Sequence, residues 1–315
     1  MKEANENYKE GSEYLKTSCL KCRFNPDYSS AIPYFKVAAD KFHNCGDFQK
    51  EIETREKLVK CFKNEKSYWE EGNEYEKMSK VQLNQLKSPS DSYNSIENAF
   101  NAYINDNQYD YAIKSLSKAS ENFIDNENKK EAEKALSKGY EIINKYYHTI
   151  SLDKNEDCSY VYDCLEKYID LLYNNENYKK GAEISKKSGE LIEKENKSEN
   201  QVIGKFYTYQ AIGELMEKKE DKYKKAINKG MDCENNGNGL SNKVNKLIEL
   251  VNEKKKENEK IISSVFYDIN NKIPNSVTKM LNKYIQENKI NYDDEENNIN
   301  NNNNDKLTDF EEDLK

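Results

Sequence analysis

The segment YDYAIKSLSKASENF, residues 109–123, decides the fold class. Ala112, Leu116, Ala119 and Phe123 recur at i, i+4, i+7 and i+11, which places them on one face of an α-helix. Lysines, serines and acids fill most of the remaining positions, and no period-two alternation competes with the helical pattern. The same spacing returns on both sides. It runs through Phe48, Ile52, Arg55, Val59 and Phe62, then Tyr178, Ala182, Ser185, Gly189 and Ile192, then Val202, Phe206, Tyr209, Gly213 and Met216. The chain is therefore expected to be all-α.

The helices also resemble one another. An aromatic–x–x–Ala signature follows a polar break at Tyr28 to Ala31, Tyr109 to Ala112 and Tyr223 to Ala226, with a relaxed copy at Tyr178 to Ala182. Tyr28 and Tyr109 lie 81 residues apart, about two periods near 40, and Tyr178 and Tyr223 lie 45 apart. Periods of this size mark tetratricopeptide-like helical hairpins, whose small inner residues let neighbouring helices approach closely. Polar breaks are expected at Asn44–Asp47, Asn64–Ser67, Ser88–Asp91, Asp125–Asn128, Ser151–Asp157 and Asn235–Asn242. The first helix is expected over about Glu3–Ser18, and Ser29 or Ser30 as N-cap of the second, which brings Pro33 near the first turn.

Composition suits a thin array better than a thick globule. The 315 residues are 35% hydrophobic and 34% charged, with 11 Gly and 4 Pro, so each element can bury only one stripe. The 43 asparagines are too many for any one to signal a site. No apolar run is long enough to span a membrane, the start MKEANENYKE lacks a signal-peptide core, and the seven cysteines are irregularly spaced. These features together predict a cytosolic chain with reduced thiols.

Charge is uneven. Residues 291–315 hold nine acids against Lys306 and Lys315, while the preceding 290 residues carry 48 bases and 49 acids. A near-neutral body with an acidic appendage lacks the basic excess of a duplex-DNA binder, so no nucleic-acid partner is expected. The expected organisation is a hairpin array over 1–242, a C-terminal helical bundle over 243–288, an Asn-rich linker expected to be disordered over 289–306, and an acidic docking motif over 307–315. Within the bundle, Val244, Leu247 and Val251 mark one helix, Ile262, Val265, Phe266 and Ile269 a second, and Val277, Leu281 and Tyr284 a third.

Catalytic chemistry is sparse. His43 and His148 stand in no metal or triad spacing, and Cys19-Leu-Lys-Cys22 is a lone CxxC without a second ligand pair. There is no P-loop, dinucleotide fingerprint or nucleophile elbow. No enzyme, cofactor or metal is expected, and Trp69 reads as a core or groove residue. Leu20 and Phe24, beside Lys21 and Arg23, allow two readings: packing at the end of the array, or a shallow membrane-touching loop with bases for anionic lipid.

Tyr14-Leu15-Lys16-Thr17, Leu20-Lys21, Pro26-Asp27-Tyr28, Ser30-Ala31, Ala38-Ala39 and Phe42 together resemble the opening of the gamma-type soluble NSF attachment proteins (SNAPs). Tyr75-Glu76-Lys77 is similar to the same family's third-to-fourth helix region. Cys164-Leu165, Lys167, Tyr178, Lys180 and Ala182 are closer to the alpha type, as is the terminal Glu311-Glu312-Asp313-Leu314-Lys315. Residues 125–160 and the Asn-rich insertion depart from the family pattern. The resemblance implies a right-handed sheet of helical hairpins capped by a C-terminal bundle. It implies a non-catalytic adaptor that lies along a four-helix SNARE complex and recruits an NSF-type AAA ATPase to disassemble it, peripherally on membranes of the secretory or endosomal pathway. It assigns SNARE contact to Lys114, Lys167 and Lys205, membrane contact to Leu20 and Phe24, and ATPase activation to Glu311, Glu312, Asp313 and Leu314. The reading that needs no family is a generic tetratricopeptide-type scaffold or co-chaperone binding peptide motifs.

Overall fold

Helix α1 (Lys2–Tyr14) is followed by five helices of 17 residues each: α2 (Tyr28–Asn44), α3 (Phe48–Asn64), α4 (Tyr68–Asn84), α5 (Pro89–Asn105) and α6 (Tyr109–Asp125). Then come α7 (Lys129–Leu152), α8 (Ser159–Asn174), α9 (Tyr178–Glu195), α10 (Asn200–Met216), α11 (Glu220–Glu234), α12 (Leu240–Asn252), a 3-10 turn (Lys256–Asn258), α13 (Glu259–Asn270) and α14 (Asn275–Glu287). The computed structural model describes residues 1–17, 24–152, 158–196, 198–234 and 237–288. No β-strand occurs among the described residues. Leu20, the Cys19/Cys22 pair and residues 289–315, including Glu311, Glu312, Asp313 and Leu314, lie outside them.

What makes the helices stop and restart is one turn used repeatedly. Gly46 (φ 72°), Lys66 (57°), Lys87 (52°), Asn107 (57°), Glu127 (63°), Glu176 (57°), Lys218 (58°) and Lys254 (52°) are all left-handed. After Gly46, Lys66, Asn107, Glu127 and Lys218 the next residue closes the helix behind it. Asp47 N–H donates to Phe42 C=O at 3.0 Å, Ser67 to Phe62 at 2.9 Å, Gln108 to Tyr103 at 2.9 Å and Asn128 to Phe123 at 2.7 Å. This six-to-one bond satisfies a terminal carbonyl and reverses the chain, the Schellman arrangement. At Lys87 the closing bond is instead Ser88 N–H to Gln82 C=O at 2.8 Å, and the left-handed residue recurs at steps of 20 or 21 between Gly46 and Glu127, which makes the hairpin period near 40.

The chain divides into two compact units, Met1–Glu176 with Glu190–Glu199, and Asn177–Gly189 with Asn200 onward. In the first, each helix packs on its chain neighbours, and α5–α7 and α6–α8 pack as next-nearest pairs. This is the packing of a tetratricopeptide-like helical-repeat array. The stripes face the core as their spacing requires. Ile52, Val59 and Phe62 are buried, as are Ala112, Leu116, Ala119 and Phe123. Burying a large apolar side chain contributes about 1.5–3 kcal/mol, so aromatic anchors such as Phe35, Tyr103 and Tyr168 matter most. Close approach needs Gly72, where a Cβ would stand 2.6 Å from the Tyr103 ring.

Arg55 lies on the buried stripe because its charge is answered. Its Nε donates to Glu51 Oε1 at 2.9 Å and its Nη1 to Glu74 Oε2 at 2.6 Å, and all three side chains are buried. Asp40 stands 3.4 Å from Nη2, and His43 Nδ1 is 2.8 Å from Glu51 Oε2.

In the second unit α10 and α11 form a hairpin, α12 packs on both, and α14 packs on α10. The amphipathic reading of α10 needs correction. Ile203, Phe206, Tyr207, Tyr209 and Ile212 are all buried, so neighbours cover more than one face. Of the residues marking the bundle, Val244, Leu247, Val251, Val277 and Leu281 are buried, but α13 buries only Ile269.

Several local expectations also change. Asp27, not Ser29 or Ser30, caps α2, accepting from Ser30 N–H at 3.0 Å, because the helix begins at Tyr28 and takes both serines into its first turn. Pro33 therefore lies inside the helix, beyond its first turn. The break placed at Ser88–Asp91 ends at Ser88, since Pro89 fits the first helical position. The break placed at Asn235–Asn242 ends before Leu240. Helix α1 stops at Tyr14, ahead of Ser18.

Candidate functional site

Alternate helices of a hairpin array run the same way, so their first turns line one edge. Helices α4, α6 and α8 each carry aromatics there: Tyr68-Trp69, Tyr109-Asp110-Tyr111 and Tyr160. Trp69 meets Tyr111 edge-to-face with ring centroids 6.3 Å apart, and Tyr111 meets Tyr103 at 5.9 Å. Lys114 Nζ lies 4.8 Å from the Tyr160 ring and 5.7 Å from the Tyr111 ring, and pairs with Asp110 at 3.0 Å. Trp69 is 41% and Tyr111 43% exposed. The result is a strip of aromatic rings on three helices, exposed at Trp69 and Tyr111, with Lys114 bridging the rings of Tyr111 and Tyr160.

Burial of the neighbouring Tyr103 pushes its phenol well above the ordinary tyrosine range, with Glu76 adding to the effect, so it stays neutral. The Cys164 thiol, buried on α8, is pushed up to about 12 by desolvation and is inert as a nucleophile. Among the described residues no group of three or more His, Cys, Asp or Glu side chains converges as a metal would require. The strip can stack planar groups and answer a negative charge. That is the chemistry of an interaction surface.

The two lysines assigned to the first unit sit on the same α6–α8 seam but in different states. Lys114 is exposed at its edge. Lys167 is drawn in: Nζ donates to Ser117 Oγ at 3.1 Å, pairs with Glu121 at 2.8 Å and also binds Asp163. Burial lowers its pKa, and bonds to Asp163 and Glu121 more than restore it, leaving a net rise. Lys205 belongs to the second unit, half-buried, with Nζ 5.8 Å from the Tyr209 ring. Phe24 is 73% exposed. Trp69, expected in a core or groove, is part-exposed on this edge, and the ring strip joining it to Lys114 is a feature the sequence reading missed. The available signal was aromatic residues in the first turns of alternate helices.

The fold and strip define an all-α helical-repeat protein of the tetratricopeptide-like class. No family model and no curated protein matches the chain. Among solved structures it is similar to the crystal structure of BtubC (BKLC) from P. vanneervenii, at 9% identity and a TM-score of 0.34, covering 73% of this chain and 90% of that one. A likeness that distant carries no argument about function. No described helix is long and apolar enough to cross a membrane.

Proposed function

We propose that this chain is a non-catalytic helical-repeat scaffold that binds partner proteins along the α4–α6–α8 edge. One observation carries the reading: Trp69 and Tyr111 meet edge-to-face beside Lys114 while both remain part-exposed to solvent. Exposed Trp and Tyr are the residue types that dominate binding energy at interfaces. The test compares wild type with Trp69→Ser/Tyr111→Ser as baits, matched by circular dichroism, and quantifies retained proteins by mass spectrometry. Specific partners should fall at least tenfold on the variant. Equal retention of every partner would remove the strip from the binding surface.

A narrower reading within this class is the adaptor between assembled SNARE complexes and an NSF-type AAA ATPase, acting peripherally at secretory or endosomal membranes. Its support is the resemblance of residues 14–42 and the exposure of Phe24. It predicts that Lys114→Glu weakens SNARE-complex binding in a salt-dependent way, and that Leu20→Ser/Phe24→Ser slows disassembly on liposomes but not in detergent. It also predicts that Leu314→Ala lowers stimulated ATPase activity. Absence of SNARE-complex binding by the wild-type chain would end this reading and leave the scaffold intact.

A further inference from the structure

Helix α13 is poorly covered for its sequence. Its apolar residues include Ile261, Ile262, Val265, Phe266 and Tyr267, yet Ile261 is 45% and Tyr267 73% exposed, and Ile262, Val265 and Phe266 are only half-buried. Beside it runs a groove of about 240 Å³, floored by Leu250 and Val251 of α12 and walled by Ile262 and Phe266 of α13 and Ile285 of α14. Lys254 and Lys255 line one end, with Glu259 the single acid on the helix side. Ligand pockets for drug-sized molecules run roughly 300–1,000 Å³, so this one suits an apolar side chain or two rather than a cofactor. Apolar walls with a basic rim fit an acidic peptide carrying spaced apolar anchors.

The chain itself supplies such a peptide. Asn288, the last described residue, lines the same groove. From there 18 residues lead to Leu307, and residues 307–315 read LTDFEEDLK, with Leu307, Phe310 and Leu314 at helical spacing among Asp309, Glu311, Glu312 and Asp313. Eighteen residues reach at most about 60 Å, ample for a return to the groove. Charge agrees: residues 240–288 hold nine lysines against six acids, and residues 289–315 nine acids against three lysines. A tether of this length supplies an effective concentration that compensates for a small contact. We propose that the groove between α12, α13 and α14 is the docking site for this chain's own C-terminal motif, seated by Phe310 and Leu314 with its acids toward Lys254 and Lys255.

The inference is independent of the α4–α6–α8 strip. It is tested on the full-length chain by hydrogen exchange. Phe310→Ser/Leu314→Ser should speed amide exchange in α13 at least tenfold while α2–α6 remain unchanged. Lys254→Glu/Lys255→Glu should do the same, and adding Glu311→Lys/Glu312→Lys to it should restore protection. Identical α13 exchange in wild type and Phe310→Ser/Leu314→Ser overturns the proposal. So does protection that grows with protein concentration, with dimers in sedimentation, which would assign the groove to a second copy. Protection appearing only when a separate acidic partner peptide is added would assign it to that partner and equally overturn the proposal.

Discussion

Lys167 on α8 reaches across to Glu121 on α6, Nζ to Oε1 at 2.8 Å, and so ties together two helices that are not neighbours in sequence. Asp163, one turn back on α8, completes the pairing from its own helix, and Ser117 adds a hydroxyl acceptor. A lysine so engaged has little charge to offer a partner. Exposed pairs contribute about 0.2–1 kcal/mol each, so Lys167→Ala should cost roughly 1 kcal/mol in urea denaturation. Lys167→Glu should cost more, since it places a third carboxylate beside Glu121 and Asp163. High salt should narrow the difference between wild type and Lys167→Ala. Reduced partner binding by Lys167→Glu with undiminished stability would instead make this lysine a contact residue.

The repeating left-handed turn predicts where the fold can be strengthened. Lys66, Glu127 and Glu176 adopt positive φ with exposed side chains, so their identity there serves no packing. A non-glycine residue in that region carries roughly 1–2 kcal/mol of strain, while glycine raises the entropy of the unfolded chain. Replacing each with glycine should raise stability by about 0.5–1 kcal/mol, and the gains should add because the sites are far apart. The reverse change, Gly46→Ala, should lose about 1 kcal/mol. Thermal unfolding of the single and triple variants measures this; a triple variant no more stable than wild type would mean the turns are not strained.

These turns explain what the sequence reading could and could not reach. Helical stripes were legible because burial follows spacing, as at Ala112, Leu116, Ala119 and Phe123. The turn motif was not legible because only Gly46 of its eight positions is a glycine; elsewhere lysine, asparagine or glutamate accepts the strain. The ring strip was illegible for another reason. Trp69, Tyr111 and Tyr160 are separated by about 40 to 50 residues and meet only once alternate helices are known to run side by side. Arg55 was placed on the correct face, and its partner Glu51 stands one turn away on the same helix, but Glu74 belongs to α4 and is paired with it only by tertiary packing.

That buried cluster predicts a non-additive mutational series. Arg55→Met leaves buried Glu51 with only the His43 ring, at 2.8 Å, and buried Glu74 with only Lys77, at 2.6 Å, and should cost up to about 3–5 kcal/mol. Arg55→Lys should recover only part of this, because one ammonium cannot span two carboxylates as a guanidinium does. The triple change Arg55→Met/Glu51→Leu/Glu74→Leu should return most of the loss, since no buried charge is left unpaired. Guanidinium chloride is unsuitable because it screens ion pairs, so urea denaturation is the measurement. A triple variant no more stable than Arg55→Met would show that the cluster acts through shape rather than charge.

Glu234 gives the final prediction, and it concerns pH. At the end of α11 its carboxylate accepts from Ser241 N–H, with Oε2 at 3.0 Å and Oε1 at 3.2 Å. Ser241 is the second residue of α12, whose N-cap position is Gly239, a residue with no side chain to cap with. Glu234 therefore does from the preceding helix what an N-cap side chain normally does. Glycine is required around it: a Cβ at Gly239 would stand 1.9 Å from Oε2, and one at Gly204 2.5 Å from Cγ. Burial raises the Glu234 pKa, and the bonds from Ser241 and Leu240 pull the other way without cancelling it. A carboxyl whose folded pKa lies above its unfolded value contributes stability that is complete below the unfolded pKa, about 4.3, and is lost as pH rises through the folded pKa. The stability of wild type relative to Glu234→Gln should therefore increase as pH falls from 7 toward 4, the opposite of a salt-bridged acid. Glu234→Ala leaves the Ser241 N–H without its partner and should cost about 1–3 kcal/mol across that range. Urea denaturation of the three proteins at several pH values separates these effects. A wild-type advantage that shrinks in acid would mean that the ionised carboxylate at the start of α12 outweighs its own desolvation.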